Sequence, residues 1–422
     1  MSTTHIEDFN YNLPDDRIAR HPVSPRHSSK LLVYQRGKIS TDVYLNLPSY
    51  LPKESMLILN NSKVVQARLN FQKASGAMVE VFCLEHSEKY PDVQTAMQEK
   101  GRVEWICQIG GSKKWKNGPL KIPFQHVGKE QHLIAEQQDR LDDYFKVQFQ
   151  WTDPELCFAE ILHLVGDIPL PPYLKRSSEA RDEVDYQTVY AKEPGSVAAP
   201  TAGLHFSEEL MQKLSTAAVA TVELTLHVGA GTFKPVKSPT AEEHDMHAEF
   251  IEINIQALQK LIESPHVQRI AVGTTSLRTL ESIYWMGVKL LQNPTTEWSE
   301  LDLSQWEAYN LDQNVPFSEA ITTLIEKMHT SGTPHFYSKT SLMIKPGYRI
   351  RSVSAILTNF HQPKSTLLLL IHAFVGNDWK RIYDFALMHD FRFLSYGDGS
   401  LLWLDEKKVY SNRGATLSAI TQ

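Results

Sequence analysis

Cysteine is scarce in this sequence, and its three copies, Cys83, Cys107 and Cys157, lie far apart with no paired metal-ligand spacing. A disulfide-built scaffold is excluded, and all three are expected as buried free thiols. Long apolar runs are lacking as well. STLLLLIHAFVG near the end is too short to cross a bilayer, and the leading MSTTHIEDFNYNLPDDRIARHP has no signal-peptide core. A cytoplasmic chain without membrane contact is therefore expected. Nor is there an excess of basic charge, since 43 Lys and Arg stand against 49 Asp and Glu, for a net charge of -6. Fields are screened over roughly 10 Å at moderate salt, so a nucleic-acid partner has to be met by a local patch. Four familiar signatures are missing, GxxxxGK[ST], HExxH, GxSxG and GxGxxG, which counts against several common enzyme classes.

What is present fits an ordinary globular protein, with 42% hydrophobic and 22% charged residues, long enough for more than one domain. The runs LLVY and MLIL read as buried strands, with Asn60 and Asn61 turning the chain after the second. From about residue 72 to 154, short strand-like runs (AMVEVFCL, VEWICQIG, YFKVQFQW) indicate a small antiparallel or barrel-like domain. Its GGSKKWKNG turn sets Lys113, Lys114 and Lys116 beside Trp115. That combination suits phosphate attraction and base stacking, or equally an exposed lysine hairpin with a packed tryptophan. The prolines of VGDIPLPPYL end a helical pattern, and Tyr173 there either packs under the turn or faces a ligand.

Three later stretches carry the glycine and threonine turns that let backbone approach a ligand closely. In AAPTAGLHFSEEL, Thr201 and Gly203 precede a helix capped by Ser207. In VELTLHVGAGTF, His227 heads the Gly229 and Gly231 turn, as a functional residue or a core histidine. In RIAVGTTSLRTLESI, a strand, a turn with Thr274, Thr275 and Ser276, and a helix bearing Arg278 and Glu281 follow one another. His244 and His247 in HDMHAE supply no metal signature, and no metal is expected. Residues 289–335 read as a polar, acidic and irregular elaboration. An enzyme acting on a small ligand beside a nucleic-acid surface fits these features somewhat better than an RNA-binding module.

Seven blocks, VGDIPLPPYL, YQTVYAKEPGSVAAPTAGLHF, LHVGAGTFKPV, HDMHAE, VGTTSLRTLES, LTNFHQPKSTLLLLIHAF and FRFLSYGDG, resemble in order those of the S-adenosylmethionine:tRNA ribosyltransferase-isomerase family, over nearly the whole chain. Departures are Gln362, where leucine is usual, and Gln66, where proline is common. The resemblance implies an α/β main domain (1–71 and 155–422) carrying an inserted β-barrel-like domain (72–154), with 289–335 as an acidic elaboration. It implies transfer and isomerisation of the ribosyl part of S-adenosylmethionine onto 7-aminomethyl-7-deazaguanine at the tRNA wobble position. Epoxyqueuosine is the product, with adenine and methionine released. The cosubstrate is consumed, no cofactor is permanently bound, the partners are S-adenosylmethionine and precursor-modified tRNA, and a monomer is expected. A noncatalytic or changed-function tRNA-binding relative is the alternative.

On that reading His205, His227 and His361 are acid/base candidates, because a neutral imidazole suits removal of a proton. Arg278 offers paired donors to the methionine carboxylate, with Glu281 orienting it and Thr274, Thr275 and Ser276 in the same turn. Tyr173 and Tyr186 are stacking candidates, and Thr201, Gly203, Gly229, Gly231 and Asn359 line the substrate site. Lys113, Lys114, Lys116, Lys345 and Arg349 are phosphate candidates for tRNA, with Trp115 as a stacking edge.

Overall fold

A computed structural model describes residues 3–73, 75–115, 118–141, 144–233, 236–264 and 266–404. Its strands in chain order are β1 (Lys30–Gln35), β2 (Lys38–Val43), β3 (Ser55–Asn60), β4 (Ser62–Val64), β5 (Arg68–Gln72), β6 (Met78–His86), β7 (Arg102–Gly110), β8 (Leu120–His126), β9 (Lys129–Leu141) and β10 (Tyr144–Trp151). They continue as β11 (Glu193–Ser196), β12 (Ala220–His227), β13 (Glu249–Asn254), β14 (Gln268–Val272), β15 (His335–Thr340), β16 (Ala355–Asn359) and β17 (Gly399–Trp403).

Nine strands form one mixed sheet in the order β15-β13-β12-β3-β14-β16-β17-β1-β2. Burial on both of its faces explains why LLVY and MLIL are unbroken apolar runs. Leu32, Tyr34, Met56 and Ile58 enter the core under the helices Ile255–Glu263, Thr274–Gln292, Phe317–Ser331, Thr366–Val375 and Asp378–Met388. Their neighbours Leu31, Val33, Leu57 and Leu59 enter a second core under the helix Glu208–Thr216 and the turn Tyr44–Tyr50. Strands buried on both faces cannot alternate with polar residues.

Strands β12, β3, β14 and β16 run parallel, β17 opposes β16, and β1 runs with β17. One edge of the sheet therefore gathers the carboxyl ends of four parallel strands and the amino ends of β17 and β1. Because β13 opposes β12, pairing Phe250 with His227, Glu249 lies at this edge too.

A second sheet, antiparallel and ordered β5-β6-β7-β10-β9-β8, curls until β5 and β8 approach, giving a nearly closed barrel-like body. Alternating residues such as Leu69, Val81, Cys107, Val147 and Phe149 fill its separate core. The chain leaves the large sheet after β3 and returns beside it as β12, and Arg68 and Asp167 exchange two backbone hydrogen bonds (3.2 and 2.8 Å) at the neck. All three cysteines are buried and free, with Cys83 opposite Cys107 on paired strands. No helix among the described residues is long and apolar enough to cross a membrane.

The expectation of irregular structure over 289–335 is corrected. Phe317–Ser331 is a helix that buries Ala320, Ile321, Leu324 and Met328. It presses so closely on the helix Thr274–Gln292 that a Cβ on Gly287 would lie 2.1 Å from the Ala320 carbonyl oxygen. The apolar spacing within FSEAITTLIEKM outweighs the polar composition around it.

Candidate functional site

In open sheets of this kind the crevice beyond the carboxyl ends of parallel strands is where ligands bind. Four of the sequence-predicted residues meet there around Asn359, the last residue of β16. Thr201 Oγ1 donates to Asn359 Oδ1 (2.9 Å), and the Asn359 amide meets His205 Nε2 (3.1 Å). His205 Nδ1 lies 2.7 Å from Ser29 Oγ, which itself donates to the Arg26 carbonyl at 2.9 Å. A hydroxyl has one proton, so Nδ1 carries the imidazole hydrogen and Nε2 accepts from the amide. Tyr44 stacks on the ring at 4.1 Å. Burial pulls the His205 pKa down to about 3, helped by Arg392 and Arg26, so the ring stays neutral with both nitrogens engaged. The fourth residue, His361, is also buried; it bonds Thr358 Oγ1 through Nε2 (2.9 Å), and burial brings its pKa to about 3.

Beside this cluster Gly273, at φ +94°, turns β14 into the helix Thr274–Gln292, and a Cβ on it would approach Ala202 within 3.6 Å. No side chain caps that helix, so its first amides and positive end face the edge with the half-buried Thr274 and Thr275. Ser276 instead turns inward to the Val272 carbonyl (2.8 Å).

One turn along, Arg278 forms an ion pair with Glu249. Burial depresses the guanidinium to about 10. The same carboxylate accepts from the Gly229 amide at 3.2 Å and faces His247 Nε2 at 3.5 Å. His247 lies over the glycine turn so closely that a Cβ on Gly231 would sit 2.3 Å from its Nδ1. Three separated sequence blocks, LHVGAG, HDMHAE and TSLRT, thus converge on one buried carboxylate. Glu281 does not orient Arg278. It is fully buried and takes hydrogen bonds from Tyr348 (2.6 Å), Ser352 Oγ (2.6 Å) and the amides of Arg351 and Ser352 (2.9 and 2.8 Å).

His227 is buried where the barrel-like body meets the sheet, and neither ring nitrogen has a hydrogen-bond partner among the described residues. Gly195 lies so close that a Cβ on it would sit 3.0 Å from His227 Nδ1, and burial with nearby His86 lowers the His227 pKa to about 4.

Other expected positions are elsewhere or differently used. Tyr186 is 1% exposed in an apolar cluster with Ile168, Leu170 and Leu174, which corrects its reading as a stacking surface. Tyr173 packs on that cluster with its hydroxyl 2.5 Å from Ser395, and burial pushes it up to about 12. A Cβ on Gly203 would fall 2.0 Å from the Tyr190 hydroxyl, so this glycine is filled by packing instead of a ligand.

On the barrel-like body, Lys113 and Lys114 are exposed, and Lys73 reaches the Lys114 carbonyl (2.7 Å). Trp115 is 3% exposed and donates to the Gly118 carbonyl (2.9 Å), so it is a core residue and not a stacking edge. Lys345 is likewise no phosphate ligand, being buried against Glu242 (2.7 Å) and Thr4 (3.0 Å). Arg349 is exposed, and Lys116 lies outside the described residues.

Sequence reasoning missed Ser29, Tyr44 and Glu249. Only Glu249 left a signal, as an acid heading the inward row Glu249, Ile251, Ile253 of an otherwise apolar alternation. A carboxylate in such a row needs a cation beside it. Among the described residues, no group of three or more His, Cys, Asp or Glu is arranged to hold a metal.

Residues 6–402 match the family described as queuosine biosynthesis protein. The S-adenosylmethionine:tRNA ribosyltransferase-isomerase of Aquifex aeolicus is 35% identical over 403 residues, covering 94% of this chain and 99% of the relative. The protein of the same name from Caulobacter vibrioides is 35% identical over 418 residues, covering 95% and 99%. A crystal structure of S-adenosylmethionine tRNA ribosyltransferase from Thermotoga maritima shares 26% identity across 93% of this chain and 99% of that one, with a TM-score of 0.44.

Proposed function

The chain belongs to the queuosine biosynthesis protein family, and on that premise we propose how its edge of polar residues serves the family's reaction. The protein is an S-adenosylmethionine:tRNA ribosyltransferase-isomerase. It moves the ribosyl part of S-adenosylmethionine onto 7-aminomethyl-7-deazaguanine at the tRNA wobble position, rearranges it to epoxyqueuosine, and releases adenine and methionine. The observation that carries this reading is identity of 35% with enzymes of that name, sustained over 94% of the chain.

S-adenosylmethionine is consumed and no resident cofactor is required. Its carboxylate is held at the uncapped start of the helix Thr274–Gln292, with Arg278 one turn further on. Thr201 and Asn359 present oxygen and amide groups to the ribose, with His205 keeping Asn359 in place. Residues 72–154 act as an inserted domain in a monomeric, cytoplasmic enzyme, and Lys113, Lys114 and Arg349 contact tRNA phosphates.

Purified protein mixed with S-adenosylmethionine and tRNA carrying the 7-aminomethyl-7-deazaguanine base should yield epoxyqueuosine by mass spectrometry of the nucleosides. Folded protein that binds this tRNA and leaves it unchanged would favour a noncatalytic relative. Replacing Lys113 and Lys114 together by alanine should weaken tRNA binding and flatten its dependence on log salt by about 1–2 units of slope. S-adenosylmethionine affinity should stay as in the wild type, and an unaltered slope would remove these lysines from the tRNA surface.

A further inference from the structure

We propose that His361 accepts a hydrogen bond from the α-ammonium of S-adenosylmethionine through Nδ1, completing a site for the amino-acid end of the cosubstrate; this rests on the reaction assigned above. Protons decide which ring nitrogen accepts. Thr358 Oγ1 gives its one hydrogen to the Asn359 carbonyl (3.3 Å), so at the 2.9 Å contact with His361 Nε2 the imidazole is the donor. Nδ1 then carries a lone pair. It has no hydrogen-bond partner among the described residues, and unlike both nitrogens of His227 it is not sealed from solvent.

The peptide that bears the ring is fixed at both ends. The His361 amide donates to the Tyr383 hydroxyl (3.0 Å), Tyr11 donates to the His361 carbonyl, and Phe360 packs against Tyr383, Phe391 and Phe393. An acceptor held in this way is presented without further ordering.

Its side of the sheet follows from the alternation of β16. Ala355 and Leu357 enter the core under the helix Glu208–Thr216, and Asn359 continues that row toward His205. Ile356 enters the opposite core, under the helix Thr274–Gln292, and Thr358 continues that second row with the His361 ring bonded to it. Strand β14 pairs with β16 there, Val272 opposite Leu357, and the Gly273 amide donates to the Leu357 carbonyl (2.8 Å). The helix therefore begins level with Thr358 and Asn359 on a strand about 4.8 Å away. Its uncapped start, where the methionine carboxylate is placed, shares this corner with His361.

The carboxylate and ammonium of an amino acid sit on one carbon, so donors for the first call for an acceptor beside them for the second. Glu249 and Glu281 on this side are already engaged, by Arg278 and by Tyr348 and Ser352. His361 supplies the acceptor. Burial, which brings its pKa to about 3, keeps the ring neutral, so the contact carries no repulsion between like charges.

The test uses the full-length protein with saturating precursor tRNA. It compares S-adenosylmethionine with the analogue bearing hydrogen in place of the α-amino group, reading apparent Kd from single-turnover rate against cosubstrate concentration. Wild type should prefer S-adenosylmethionine by about 10- to 100-fold, the range for a hydrogen bond to a charged group. His361→Gln sets its amide at the Nε2 position, keeping the Thr358 contact and losing the acceptor, so most of that preference should vanish. His361→Asn sets an amide oxygen at the Nδ1 position and should keep part of it. No preference in the wild type, full preference in His361→Gln, or equal weakening of both ligands, as loss of a merely structural ring would give, overturns the proposal. Absence of epoxyqueuosine with wild type and S-adenosylmethionine would instead overturn the functional reading.

Discussion

Replacing Glu249 by alanine should destabilise the fold by about 3–5 kcal/mol and stop turnover. Glu249 is 1% exposed, and its carboxylate is shared by Arg278, His247 and the Gly229 amide. Removing it leaves the Arg278 guanidinium buried without its counter-ion, and uncompensated buried charge is far more expensive than a lost surface pair. Glu249→Gln, which preserves shape and an acceptor for Gly229, should fall between alanine and wild type.

The natural contrast is Arg17–Asp390, where the aspartate side chain is 75% exposed. Such pairs contribute about 0–1 kcal/mol, so Asp390→Asn, which suits the left-handed backbone there (φ 57°), should hardly move the urea midpoint. If Glu249→Ala and Asp390→Asn unfold at the same urea concentration, the buried pair does not have the role assigned to it.

Acid should unfold this protein steeply, with about three protons taken up by His205, His227 and His361. Their folded pKa values lie near 3, 4 and 3, all depressed first by burial, against about 6.5 in an unfolded chain. A depressed value means that the unfolded state binds more protons between the two. Their contribution is therefore intact above pH 6.5 and is lost as the pH falls from there toward 4 and 3. Each fully titrating histidine adds about 1.4 kcal/mol of lost stability per pH unit within that window. Denaturation followed at pH 7, 6 and 5 measures the slope, and His361→Leu should reduce it by one proton. A slope below about one proton at pH 5 would show that these rings are not held neutral as described.

What could be read beforehand was whatever depends on neighbours along the chain. LLVY and MLIL are strands because nothing polar interrupts them, and RIAVGTTSLRT becomes strand, turn and helix where its periodicity changes at Gly273. Direction and partnership across the fold were not legible. Trp115 beside three lysines suggests a surface, yet the curl of the barrel-like sheet turns the indole inward. Arg278 and Glu281 are spaced like a helical pair, but each finds its partner on another element, Glu249 at β13 and the 348–352 segment respectively. The Asn359 cluster draws on residues 29, 44, 201, 205 and 359, separations that no local pattern encodes.

The pairing of β1 with β17 joins residues 31–34 to 399–402, across almost all of the described chain. During synthesis the barrel-like sheet, contiguous from residue 68 to 151, has every strand available early. By contrast β3 must wait for β12 and β14, and β1 for β17. Loop closure over such separations is slow, so the large sheet should be completed only after translation has passed Trp403. Until then Ser29, beside the first strand, has no settled place against His205. Chain order thus makes the Asn359 cluster among the last parts of the molecule to form, and ribosome-bound chains stopped before β17 should lack it.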